Sequence, residues 1–176
     1  MPRASIALAV ACLALPAAAW AAEMTVPEGL ACPAEAGGAE LISTAGASTE
    51  AGVTGLCVYY AYDEDNPDSN VTLTLRVGTA DYDPDRSFKA PKVDLGGMAV
   101  AEEATRPMAF AGRTAPATII ALAGKEADLG EITDVYDTLY LFRLEGGRVI
   151  ALEEEYSNLS AGLRAAPREA LLAAQR

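Results

Sequence analysis

The chain has 176 residues, 25 of them acidic and 13 basic, contains no histidine, and carries a net charge of −12. The lack of histidine excludes histidine-based catalytic triads, histidine-ligated zinc or copper, and proton shuttling through imidazole. An acidic chain repels phosphate backbones and anionic lipid headgroups, so neither nucleic acid nor bare membrane is an expected partner.

Residues 1–21 have the pattern of a signal peptide. A basic start at Arg3 precedes an apolar stretch, residues 6–19, that is too short for a membrane span of roughly 20 residues. The small-x-small pattern of residues 19–21 predicts cleavage before Ala22 and a periplasmic or secreted protein. Without Arg3, 12 basic residues remain against 25 acidic ones, so the net charge becomes −13.

An alternative interpretation makes residues 9–12 a lipoprotein box in which Cys12 is lipidated. Such a box closes the apolar region, whereas here the apolar run continues to Leu15, which favours the signal peptide.

The two remaining cysteines, Cys32 and Cys57, lie 25 positions apart in a protein expected to meet an oxidising compartment. We therefore predict a disulfide between them, which stabilises the fold by about 3 kcal/mol in the chain-entropy model.

The first half of the mature chain is predicted to change from loop to sheet. Residues 22–53 are rich in small and polar residues and indicate a loop-rich lead-in, with one short strand over Glu40–Thr44. Residues 54–62 then form a predicted strand. Its partner covers residues 71–77, where apolar side chains alternate with polar ones, and the stretch between the two is a turn too polar to bury.

The middle of the chain is less regular in pattern. After a charged loop, Ser87–Leu95 is predicted to be a short strand held at a sheet edge by Pro91. We predict irregular structure for residues 98–111. Residues 117–123 are apolar on both faces, as a central strand is.

The stretch Tyr136–Tyr156 predicts a β-hairpin. Gly146-Gly147 suit a two-residue turn, which would pair Leu144 with Val149 and Phe142 with Ala151. The predicted fold class is α+β: a mainly antiparallel sheet of five to seven strands with a short C-terminal helix and one disulfide.

The predicted organisation is a single exported domain without internal repeats. This domain covers residues 22–176, with its sheet over 54–156 and a C-terminal helical segment over 157–176.

Two groups of acidic residues are candidates for chemistry. Glu153, Glu154 and Glu155 form the densest group, and we interpret them as the solvated end of a strand. The alternate aspartates at 81, 83 and 85 suggest a calcium loop. Arg86 stands where the sharp-turn glycine belongs and Lys92 where the bidentate glutamate belongs, however, so solvated turns are favoured. We predict no metal site, catalytic residue or cofactor.

The hairpin also carries a resemblance. Residues 140–149 followed by Glu154-Glu155-Tyr156 resemble a late hairpin of SnoaL-like domains, which form a cone-shaped α+β barrel around a ligand pocket. The resemblance covers this hairpin alone, and the chain lacks both the helices that open that fold and the histidine that many of its enzymes use. It implies an alternative function as a pocketed ligand-binding or enzyme domain, and no site residue is carried over.

The missing catalytic groups favour a small exported non-catalytic binding or accessory domain. Its predicted binding residues are Tyr60, Tyr62, Asp63 and Asp65. Tyrosine buries a large area at modest entropic cost, and neighbouring carboxylates steer a basic protein surface towards it. Alternation places Tyr59 on the opposite face. In the alternative interpretation, the tyrosines belong to the core or cover the sheet.

Overall fold

The structure, a computed structural model, describes residues 25–46, 48–128 and 131–176. The predicted signal peptide and Cys12 lie outside the described residues. Where the chain is described, none of its helices has the length and apolar character needed to cross a lipid bilayer.

The described chain forms one antiparallel sheet of eight strands in the order β1-β2-β3-β4-β8-β7-β6-β5. The strands are β1 (Glu35–Ala36), β2 (Ala39–Ala45), β3 (Val53–Asp63), β4 (Asn66–Gly78), β5 (Ala99–Phe110), β6 (Arg113–Asp128), β7 (Glu131–Arg143) and β8 (Val149–Ser157). An α-helix, α1 (Ala165–Ala174), follows. The antiparallel sheet and the C-terminal helix are confirmed, but the count of five to seven strands was too low, and the fold is mainly β rather than evenly α+β.

The strongest alternation in the sequence gives the central strand β4. Val71, Leu73 and Leu75 are fully buried, and the residues between them are half-buried on the other face. β-Branched and leucine side chains pack well on a pleated surface with one dry side. The predicted pairing of β3 with β4 is confirmed, with Tyr59 opposite Leu73.

The hairpin of β7 and β8 is confirmed, but its predicted register is wrong by one residue. Phe142 lies opposite Ile150, and Arg143 lies opposite Val149. The turn spans three residues, Glu145–Gly147, because both of its glycines adopt positive φ angles near 81°. Because side chains alternate between the two faces, a shift of one residue changes which side chains of β7 and β8 lie on the same face.

Two segments in the middle of the chain correct the sequence interpretation. Asp85–Lys89 and Pro91–Leu95 are wide helical turns, not a strand, and Pro91 begins the second turn, where proline is tolerated. Residues 99–110 form the edge strand β5 rather than irregular structure. Most of its side chains are exposed on both faces, so the strand leaves no apolar alternation in the sequence.

The sheet curls around α1 so that the helix contacts both ends of the strand order. The backbone N–H of Ala111, after β5, donates to the carbonyl of Leu172 at 3.0 Å. Gly37, between β1 and β2, lies so close to α1 that a Cβ there would be 2.4 Å from the backbone of Ala166. Leu171 and Leu172 fill the concave side, which we call the helix face.

The predicted disulfide Cys32–Cys57 is present, with Cα atoms 6.4 Å apart.

The opposite side of the sheet, the outer face, is only partly covered. The two helical turns over residues 85–95, here called the covering segment, place Phe88 against the sheet with 2% of its surface exposed. This second core is smaller than the one on the helix face. Its buried members are Val53, Tyr82, Phe88, Ile120, Leu122, Leu139, Leu141, Val149 and Ala151.

Candidate functional site

Strand β8 carries its three consecutive glutamates into three different environments. Glu153 is 7% exposed, Glu154 is fully buried and Glu155 is exposed. The interpretation of this run as a solvated strand end is therefore wrong for the first two. β8 is a central strand between β4 and β7, and its two buried glutamates are covered from opposite faces, Glu153 by Lys92 and Glu154 by Arg168 of α1.

On the outer face, Asp137, Glu153 and Glu155 come together in what we call the acidic cluster. One carboxylate oxygen of each lies within 4.8 Å of the others. Strand pairing produces this arrangement, because Asp137 of β7 lies opposite Glu155 and alternation returns Glu153 to the same face. Asp137 is 1% exposed, so its carboxylate is taken out of water.

Two cations compensate the acidic cluster. The ammonium of Lys92, from the covering segment, donates to Asp137 Oδ2 and lies 2.9 Å from Glu153 Oε1. The guanidinium of Arg76 on β4 lies 2.5 Å from Glu153 Oε2 and 3.0 Å from Glu50 Oε2. The network thus leads from the partly exposed Glu50, through buried charges, to Asp137.

The carboxylates of this network have different proton affinities. Burial raises the pKa of Asp137 to about 8, helped by repulsion from Glu153 and opposed by Lys92. Burial acts in the same direction on Glu153, but Arg76 and Lys92 outweigh it and lower its pKa. Burial alone would lower the pKa of Lys92, yet the attraction of Glu153 and Asp137 raises it. Lys92 is therefore charged at neutral pH, and Asp137 binds its proton more tightly than an aspartate in water does.

The acidic cluster brings carboxylates close enough to share an ion, but the cation among them is the ammonium of Lys92. A metal ion would have to displace Lys92 and would still face Arg76 on Glu153. Hard cations also favour six or more oxygen ligands, of which this cluster offers few. We assign no metal ligand here.

The helix face holds a second polar group, centred on Glu154. Tyr140 donates to Glu154 Oε2 at 3.0 Å, and Arg168 of α1 donates to the Tyr140 hydroxyl at 3.0 Å. Arg168 and Arg164 lie 3.5 and 3.8 Å from the carboxylate of Glu154. Burial raises the pKa of Glu154 despite both arginines. The group joins α1 to the sheet through contacts to a fully buried carboxylate.

The predicted binding residues lie at one end of β3. Tyr60 and Tyr62 stack with ring centroids 6.0 Å apart, and Tyr62 is 53% exposed. Asp63 and Asp65 shape the adjacent turn, where the Asp65 backbone N–H donates to Asp63 Oδ1 at 3.0 Å. Tyr59 points to the helix face and is fully buried.

An exposed apolar area surrounds the stacked rings on the outer face. Ile42, 56% exposed, is the extra residue of a bulge in β2, next to Ser43, which lies opposite the half-buried Val58. We call Ile42, Val58, Tyr60 and Tyr62 the tyrosine surface. The strand pairings place it beside the acidic cluster, because Tyr60 lies opposite Thr72 and Thr72 opposite Glu155.

A cavity of about 460 Å³ opens beside the covering segment. Its lining is mostly polar and consists of Ser48, Thr49, Glu50, Ala51, Asp83, Arg86 and Ser87. Asp83 is already used within the chain, because its carboxylate accepts from the Asp85 backbone N–H and its carbonyl from the Ser87 hydroxyl. Glu50 connects this cavity to Arg76 and so to the acidic cluster.

Asp137, Arg76 and Lys92 were not predicted from the sequence as members of a site. Asp137 carried only a weak signal, since it lies next to the largely apolar and aromatic run of residues 139–142. Lys92 carried none, because its role depends on the helical path of a segment predicted to be a strand. Arg76 was assigned to the polar face of its strand, where it does lie, without a partner.

These features define a mainly antiparallel β protein curled around a C-terminal helix, with a buried ionic network and an exposed tyrosine surface on its outer face. No protein-family model matches the chain, and no curated protein matches it either. A solved structure that matches is LpqN of Mycobacterium tuberculosis, described as involved in cell envelope biogenesis. It is 15% identical, the match covers 85% of this chain and 79% of that one, and the TM-score is 0.38. Nothing about function follows from a likeness this distant.

Proposed function

We propose that this protein is an exported, non-catalytic binding module that takes a basic segment of a partner protein on its tyrosine surface. The observation that carries the proposal is the stacked pair Tyr60 and Tyr62, which leaves an aromatic area on the outer face with Tyr62 53% exposed. Isolated exposed apolar residues are ordinary, but an apolar group on one sheet face is typical of an interaction site.

Charge supports the basic nature of the partner. Glu40 is exposed and lies opposite Tyr60 across the strand pair, and Glu155 is exposed on the far side of Thr72. Asp63 and Asp65 add carboxylates at the turn. A basic side chain on the partner would meet aromatic faces and carboxylates together, which favours association in rate and in orientation.

The cavity supports binding rather than catalysis. Enzyme pockets commonly combine an apolar enclosure with a few converging polar groups of shifted pKa. The cavity beside the covering segment is polar and opens to water, and Asp137, whose pKa is shifted, is not among its lining residues.

The disulfide Cys32–Cys57 supports export, since disulfides persist in oxidising compartments. Mass spectrometry of the mature N-terminus tests this part of the proposal. A chain beginning at Ala22 supports cleavage by signal peptidase, whereas a diacylated Cys12 would establish a lipoprotein, and an intact N-terminus in its native host would contradict export.

The binding proposal is tested with synthetic peptides that combine lysine or arginine with leucine or phenylalanine, and with matched glutamate peptides as controls. We expect the basic peptides alone to bind, with an affinity that falls as salt is raised. The double variant Tyr60→Ala, Tyr62→Ala should bind about tenfold more weakly and keep its melting temperature within a few degrees.

The matched control for this test is Leu95→Ala, which removes another exposed apolar side chain, 88% exposed, from the covering segment. It should leave peptide binding unchanged. Equal binding by the tyrosine variant and the wild type would place the site elsewhere, and unfolding of the double variant would assign the tyrosines to the core.

A further inference from the structure

Asp137 is a buried carboxylate with an oxygen that lacks a partner. Its Oδ2 accepts from Lys92, but Oδ1 is buried and, among the described residues, has no hydrogen-bond donor. A charged oxygen that has left water without gaining a partner costs free energy. A proton on this carboxyl group removes the charge and supplies a donor, which suits a neighbouring carboxylate.

The charges around Asp137 have a net negative excess, which favours binding of a proton. Glu153 and Glu155 face it from β8 and Lys92 from the covering segment, whereas β6 presents the apolar Leu122. Beyond Glu153, Arg76 is shared with Glu50. Four carboxylates therefore meet two cations, and binding one proton halves the excess of negative charge.

The covering segment forms the wall of this cluster on the outer face. It is held on the sheet by Phe88 and Lys92, whose ammonium also lies 5.4 Å from the centre of the Phe88 ring. At its outer side Lys89 pairs with Glu103 of β5 at 2.8 Å and with Asp85. The rest of the segment is half-buried or exposed, with Leu95 at 88%. Short helical turns with few buried side chains belong to the less stable part of a fold.

We propose that the acidic cluster is a proton-binding site whose proton keeps the covering segment seated on the outer face, so that loss of this proton loosens the segment. Lifting the segment exposes the cluster to water and removes the burial that disfavours the charge on Asp137. Opening is therefore linked to proton release. This inference does not depend on the proposed partner of the tyrosine surface.

The direction of the pH dependence follows from linkage. An aspartate in water has a pKa of 3.8, and that of Asp137 in the closed state is about 8. Between these values the closed state binds more protons than the open state, so the contribution to closure is fully present below about pH 4 and is lost as the pH rises through about 8. The free energy of opening should fall across this range and become level above it.

Hydrogen exchange followed by mass spectrometry between pH 5 and 9.5 tests the proposal, with protection factors corrected for the intrinsic rate at each pH. We expect the protection of residues 85–95 to fall by up to about tenfold per pH unit up to about pH 8 and to level off above it. Asp137→Asn, which cannot ionise, should give a flat profile for the covering segment.

Asp134→Asn is the matched control, because Asp134 lies on the same strand but pairs with Lys125 at the surface. It should follow the wild-type profile. The second measurement needs no variant: carbon NMR of the aspartate carboxyl groups in the wild-type protein should show one carboxyl that titrates near pH 8. A flat wild-type exchange profile, or the absence of a carboxyl that titrates well above its ordinary range, would overturn the proposal.

Discussion

Glu153 and Glu154 are adjacent residues of one strand, both buried, and the sheet gives them opposite surroundings. Glu154 on the helix face meets Arg168, Arg164 and the hydroxyl of Tyr140. On the outer face Glu153 shares two cations with other carboxylates, so that side carries an excess of negative charge. The helix face is closed by a ten-residue helix, whereas the outer face is closed by two short helical turns.

The difference indicates what each polar group does for the fold. The carboxylate of Glu154 joins α1 to the sheet, because its removal leaves the half-buried Arg168 and the buried Tyr140 without their acceptor. A carboxylate cluster that is short of cations responds to protons instead. Glu154 thus joins α1 to the sheet, whereas Glu153 belongs to a cluster in which the neighbouring Asp137 takes up the proton.

The largest expected effect comes from removing the joint on the helix face. Glu154→Ala should lower the free energy of unfolding by about 3 to 5 kcal/mol, because Arg168 and Tyr140 lose their buried acceptor. Urea unfolding measures this change. Glu126→Ala, at an exposed position of β6, is the control and should stay within about 0.5 kcal/mol. Equal, small effects for both variants would mean that the Glu154 group does not hold α1 to the sheet.

A smaller effect, dependent on pH, is expected on the outer face. Lys92→Met keeps the length of the stem but removes the ammonium that meets Asp137 and Glu153. We expect a loss of about 2 kcal/mol above pH 8, where the cluster has its full negative charge, and a smaller loss near pH 5, where Asp137 is protonated. Urea unfolding at both pH values measures whether the loss of stability is larger above pH 8 than near pH 5, as expected.

Lys125→Met is the control for that experiment, since Lys125 also pairs with an aspartate of β7, Asp134 at 3.1 Å, but is mostly exposed. An exposed pair contributes little, so the loss should be below about 1 kcal/mol and independent of pH. A loss for Lys92→Met that grows on acidification would contradict the assignment of the proton to Asp137.

The sequence predicts a strand correctly where apolar and polar side chains alternate strongly. It does not predict a strand that is held by backbone hydrogen bonds and exposes its side chains on both faces. The alternation of β4 and the apolar run of β6 each predict a strand that is present, and the cysteine pair predicts the disulfide that is present. The edge strand β5 is held by its backbone pairing with β6 and exposes most of its side chains. Its sequence therefore lacks the apolar alternation that predicts a strand. Pro91 fits a sheet edge as well as a helix start, which explains the error over residues 87–95.

The candidate site was harder to predict because it depends on register and on long-range contact. The predicted hairpin register, one residue off, paired the wrong faces of β7 and β8 and so gave no reason to bring Asp137 beside Glu155. Lys92 reaches that cluster from 45 positions away, through a turn of helix. Alternation alone did separate Tyr59 from Tyr60 and Tyr62, as the structure has them.

The smallest expected effect is that of calcium. Asp81, Asp83 and Asp85 have the spacing of a calcium loop, but Asp83 accepts from the backbone of Asp85, whose own carboxylate pairs with Lys89. The acidic cluster is held by Lys92 and Arg76. Because a ligand stabilises a fold only when it is present well above its dissociation constant, 5 mM calcium should shift the melting temperature by less than about 1 °C and give no heat of binding by calorimetry. A rise in melting temperature of several degrees that a chelator reverses would show that calcium displaces one of these internal cations. Lys92→Met removes the cation from the acidic cluster. This variant would then enlarge the rise only if the acidic cluster is the calcium site.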